Sequence, residues 1–143
     1  MRKKLLIAAL AVLTVILAYF ALTKLPPQQQ SGQKTVYITL LDEMSEQVII
    51  DKQAYKTSAT TLGSFFDENP QGISVKLEAS SFGRFILEIN GLDGSKAEGP
   101  WILYDSPNNQ VCLASGLCSG IDDLPIFDGD EFVFRYTLTY SFE

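Results

Sequence analysis

Eighteen consecutive residues near the amino terminus, Leu5 to Leu22 (LLIAALAVLTVILAYFAL), contain no charge, glycine or proline. As a helix such a run spans roughly 27 Å at about 1.5 Å per residue, close to the hydrocarbon thickness of a bilayer. Arg2, Lys3 and Lys4 precede it and Lys24 closes it. The basic cluster stays on the cytoplasmic side, which sends everything after Lys24 outside. A removed signal peptide has a shorter apolar core followed by small residues with a single residue between them. Here Tyr19 and Phe20 separate Ala18 from Ala21, and no cysteine follows to take a lipid. Residues 1–24 are therefore read as an uncleaved transmembrane signal anchor, with a cleaved signal and then a buried soluble helix as the alternatives.

The next stretch, residues 25–34, is rich in proline and glutamine and has little apolar surface to bury; it reads as a flexible linker. The extracytoplasmic folded unit is expected over 35–143, long enough for one hydrophobic core. All seventeen acidic residues lie beyond the anchor, while four of the eleven basic ones flank it. The exported part then carries seven positive and seventeen negative charges, a balance of minus ten. Such a domain repels nucleic acid and anionic lipid headgroups.

Cys112 and Cys118 bracket five residues in "VCLASGLCSG". Outside the cytoplasm the simplest reading is a disulfide, since the chain has no other cysteine and no histidine to complete a zinc site. The lack of histidine also removes Ser-His-Asp and Cys-His catalysis. No phosphate-cradling glycine motif leads into a helix. The residues point away from an enzyme, and nothing in them calls for a cofactor.

Apolar residues recur mostly at period two, the signature of strands. "TVYITLL" sets Val36, Ile38 and Leu40 on one face, Asp42 to Ser45 forms a hairpin turn, and "EQVIID" is its partner. In "SFGRFILEING", Phe85, Leu87 and Ile89 share a face. In "WILYD", Trp101 and Leu103 oppose Ile102 and Tyr104. In "EFVFRYTLTY", Phe132, Phe134, Tyr136, Leu138 and Tyr140 share a face. One helix interrupts them: Thr60 or Thr61 caps "TTLGSFFDENP", Leu62, Phe65 and Phe66 fall at helical spacing, and Asn69-Pro70 ends it. The expected fold is α+β, a β-grasp-like mixed sheet covered by one short helix.

In this order "TTLGSFF", "GRFILEINGL", "GPWILYD" and "IFDGDEFVFRY" resemble the transcobalamin-like carboxy-terminal domain family, small β-grasp-type domains of exported bacterial proteins and of animal cobalamin carriers. The resemblance covers about residues 35 to 140. It implies a binding or interaction domain, in some relatives a lid over a corrinoid. Where relatives pass from the tryptophan strand into an Asn-Gly turn, this chain has "YDSPNNQ", and it lacks the large helical domain of the animal carriers.

Two segments are candidate sites. Trp101 follows the loop "GSKAEGP" and is either a core residue or a ligand-facing platform; in the second case Tyr104, Asn108 and Asn109 are its nearest polar or aromatic companions. "IDDLPIFDGDEF" gathers Asp122, Asp123, Asp128 and Asp130. These suit either a hard cation that wants six to eight oxygens, or a turn in which Gly129 takes positive φ and the aspartates bond to nearby amides. The reading is a single-pass protein of the cell membrane. Its outer domain binds a small molecule such as a corrinoid, or else meets a surface or transport protein without any small ligand.

Overall fold

The computed structural model describes Val12 and residues 32–139. The expected anchor and most of the expected linker lie outside the described residues. Among the described residues no helix is long and apolar enough to cross a membrane.

The elements are β1 (Lys34–Asp42), β2 (Gln47–Thr57), α1 (Leu62–Asp67), β3 (Val75–Ser80), β4 (Gly83–Ile89), β5 (Leu92–Asp93), β6 (Trp101–Asp105), α2 (Gln110–Ser115) and β7 (Glu131–Thr137). The fold is α+β, dominated by sheet, with few short helices. Four strands form a mixed sheet in the order β2-β1-β7-β6, and three form a second, antiparallel sheet, β3-β4-β5. Within the larger sheet β1 and β7 run parallel and the other neighbours antiparallel.

Alternation decides which face of the larger sheet is core. Val36, Ile38 and Leu40 of β1 and Phe132 and Phe134 of β7 are buried on the side that receives α1. Thr61 caps that helix through a reciprocal box: its hydroxyl accepts from the Ser64 amide at 3.2 Å, and Ser64 Oγ accepts from the Thr61 amide at 2.9 Å. Six residues would not hold a helix alone. Phe65 and Phe66 anchor it, the first edge-on to Tyr55 and the second to Phe134, both at 5.8 Å between ring centroids.

Several expectations are corrected. The single sheet is two sheets, because among the described residues β3, β4 and β5 pair only with one another. Where one helix is expected, the described residues 32–139 hold two. Asn109 caps α2 by accepting from the amides of Val111 and Cys112, and Gly116 ends it at φ +70, so the span between the cysteines is partly helical. The second strand continues well past Asp51, to Thr57. Lys34, placed in the linker, opens β1 and is buried, its Nζ donating to the Ile126 carbonyl at 3.0 Å. On β4 the expected face of Phe85, Leu87 and Ile89 is broken by a bulge. Lys76 of β3 faces Glu88 while the next residue, Leu77, faces Ile86, which leaves Leu87 over. The phase therefore shifts: Ile86 and Ile89 turn inward and Phe85 is 45% exposed. On β7 the ladder stops at Thr137, which is buried, and Leu138 is 50% exposed instead of inward. Tyr140 lies outside the described residues.

Candidate functional site

The two sheets do not close on each other. Along its whole length β4 pairs with β3, but β5 meets it only through Glu88 and Ile89. Across the gap stands β6, which among the described residues ladders with β7. Between them lies a cleft of about 400 Å³ lined by residues 83–86 of β4 and 101–104 of β6, with Gly94 at one end and Gly120 and Ile121 at the other. That volume falls within the range of small-ligand sites.

Trp101 stands at one end of this cleft, partly buried. A Cβ placed on Gly99 would lie 3.2 Å from its Cδ2 and Cε2, so the indole packs against bare backbone at a residue with φ +81. Tyr104 forms part of the wall. Its phenol donates to the Ser119 carbonyl at 2.7 Å, and its ring lies 5.7 Å from that of Phe134. Burial, assisted by the charge of Asp122, pushes this hydroxyl up to about 12. Tyr104 is therefore a neutral donor over the physiological range and not a base.

Arg84 joins the cleft to its surroundings. Its amide and Nε donate to Asp122 at 2.9 and 3.0 Å, and its Nη1 and Nη2 grip Asp67 at 2.7 and 3.0 Å. These bonds tie β4 to the last residue of α1 and to the turn after Gly120. They raise the guanidinium above its ordinary value and hold Asp122 below its own, with the Arg84 side chain as the leading cause. Two carboxylates against one guanidinium leave this corner with a net negative charge. Close packing here requires glycine at 63, where any Cβ would run into Asp122 Oδ1.

The rim is clipped by the disulfide between Cys112 and Cys118. Ser119, whose carbonyl receives Tyr104, follows it directly. With the cysteines joined and no histidine in the chain, what this arrangement offers a ligand is aromatic and aliphatic surface and a few hydrogen-bonding groups.

The structure brings Trp101 and Tyr104 together on the cleft and sets Asn108 and Asn109 apart from its lining. Asn109 is buried and spends its side chain on protein: its carbonyl caps α2, and its amide donates to Pro125 O at 2.9 Å and to Asp130 Oδ2 at 2.6 Å. Asn108 bridges to the Gly129 carbonyl at 2.9 Å and to the Glu131 amide at 2.8 Å. Of the acidic candidates, Asp122 is paired with Arg84, and Asp123 is exposed. Asp128 Oδ1 accepts from the Thr35 amide at 2.7 Å, and buried Asp130 accepts from the Phe127 amide at 2.9 Å. Gly129 between them has φ +86, and its neighbours form a turn. Among the described residues no three His, Cys, Asp or Glu side chains converge as a metal site would require.

Sequence reasoning missed Arg84, Phe85, Leu103 and above all Phe82, 94% exposed at the cleft mouth. The only local sign was an aromatic inside the turn "SSFG", where nothing in the periodicity requires one.

No family model and no curated protein matches the chain. Among solved structures, the chain is similar to a "putative metal binding protein" from Ruminococcus gnavus ATCC 29149, at 20% identity and a TM-score of 0.56, covering 75% of this chain and 99% of that one. At that identity the likeness extends to the fold.

Proposed function

We propose that the chain is a membrane-tethered, extracytoplasmic binding module, not an enzyme, and that its ligand is held in the cleft between β4 and β6. The observation that carries this reading is the indole of Trp101, seated on Gly99 and bordering a gap between two sheets rather than sealed in the core. The order β2-β1-β7-β6, with a parallel central pair and α1 between its hairpin and the second sheet, supports a β-grasp-like assignment. It also supports the resemblance to transcobalamin-like carboxy-terminal domains. That resemblance names a corrinoid as the small-molecule ligand. A cleft of about 400 Å³ would hold an edge of so large a molecule and leave the remainder to solvent or to a transport partner in the membrane.

The neighbour's name raises a cation for this chain too, but Asp122 and Asp130 are committed to Arg84 and to Phe127 and Asn109, so a metal is not part of the reading. The test uses the single tryptophan. The full chain in detergent micelles is titrated with cyanocobalamin while Trp101 emission is followed, with Leu103→Arg as the blocked control. Saturable quenching in the wild type and none beyond absorption losses in the variant is expected. An unresponsive, blue-shifted emission would remove the corrinoid.

A further inference from the structure

We propose that the disulfide-clipped loop of α2, with Leu113 and Leu117 at its surface, rests on the headgroup layer of the bilayer and holds the domain against it. The inference rests on the reading above for the membrane anchor, and not on the ligand of the cleft.

The sixteen residues from Ser106 to Ile121 carry no charge, the longest such run after Lys24. The next longest, residues 57–66, supplies the buried face of α1. The run around α2 instead stays at the surface. Leu113 is 61% and Leu117 53% exposed, and the three residues between them are exposed as well. A lone exposed leucine needs no explanation. These two are held out by covalent structure: each lies just inside a bridged cysteine, and Cys112 is itself buried. With both ends of the five-residue span fixed, its apolar side chains cannot fold back onto the domain.

Topology sets this loop on the side from which the chain arrives. At the start of β1, Thr35 and Tyr37 bond through their backbones to Gly129 and Asp130, each at 2.8 Å. The same turn receives the start of α2, since Asn108 donates to the Gly129 carbonyl at 2.9 Å and Asn109 to Asp130 Oδ2 at 2.6 Å. Cys118 brings the loop back to within 3.9 Å of Asp105, opposite Val133 near the start of β7. A second apolar patch, Met44, Val48 and Ile49, lies at the far end of β1, among Asp42, Glu43 and Glu46.

Nine residues separate Lys24 from Lys34, a reach of at most about 35 Å. A domain of this size is about as wide, so an anchored chain stays within one domain's width of the lipid. Two leucines bind a bilayer weakly, because attraction scales with the apolar area buried. Tethering raises the effective concentration to the order of millimolar, which populates a weak contact. Charge then selects the face. Elsewhere carboxylates would have to be desolvated or set against headgroup phosphates, whereas this loop brings none. Gly120 and Ile121 follow it directly and line the cleft, so the contact would set the rim of the cleft beside the bilayer.

The experiment uses the full chain, ¹³C-labelled on its methyl groups, in phosphatidylcholine nanodiscs in which a few headgroups carry a nitroxide. Relaxation is compared before and after the nitroxide is reduced. The Leu113 and Leu117 methyls are expected to relax several-fold faster than those of Met44 and Val48, which are 49% and 59% exposed. Leu113→Ser with Leu117→Ser changes solvent-facing side chains only and is expected to abolish the excess at Ala114 between them. Equal or greater enhancement at Met44 and Val48 overturns the contact. So does an enhancement at Ala114 that survives the double substitution, because the tether alone would then hold the loop near the lipid. Release of the chain from vesicles by alkaline carbonate overturns the anchor and this inference with it. Retention without enhancement at the two leucines overturns this inference alone and leaves the anchor standing.

Discussion

Two aspartates eight positions apart carry opposite consequences, and only their surroundings distinguish them. The hydrogen bonds of Arg84 hold the Asp122 carboxyl below its usual 3.8. Its contribution to stability is therefore present above the unfolded value and is lost as pH falls through the lower, folded one. For Asp130 desolvation is the leading cause and raises the carboxyl despite the Phe127 amide and Asn109. Its contribution is present below the unfolded value and is lost as pH rises through the raised, folded one. Thermal melts from pH 2 to 7 are expected to show both slopes. Asp122→Asn flattens the acid-side fall, and Asp130→Asn removes the loss on the rising side. If the two substitutions flatten the same limb, the assignment is wrong.

At the scale of elements, the disulfide and α2 form one device. Asn109 starts the helix, Cys112 lies within it, and Cys118 returns the chain to place Ser119 under the Tyr104 phenol. Closing so small a loop stabilises by about 2 kcal/mol on chain-entropy grounds. Cys112→Ser with Cys118→Ser is expected to lower stability by that amount in denaturant melts while keeping the far-ultraviolet spectrum. It is also expected to expose Tyr104, read as a lower phenol titration. The cysteine pair was legible from spacing and compartment. The helix was not, because "NQVCLASG" carries its signals only in Asn109 and Gly116, and six residues are too few for a periodicity to declare itself. The Leu87 bulge was equally hidden, since it arises from pairing with β3 and leaves no mark in β4's own alternation.

Across the whole molecule, acidity and chemistry part company. The described carboxylates hold loops together or face solvent, and they do not converge on a point. Millimolar calcium is accordingly expected to raise the melting temperature no more than magnesium does; a rise specific to calcium would reveal a site by mass action. What the sequence by itself determined is what short-range patterns can encode: the strands that alternate, the capped helix that covers them, and a pair of cysteines close enough to join. The cleft was decided by tertiary structure. It exists because β5 ends after two residues, because among the described residues the ladder of β6 is with β7, and because Arg84 reaches Asp67 and Asp122 from distant parts of the chain. Each of those is a contact between segments far apart in sequence, and no local period records where two sheets will fail to meet.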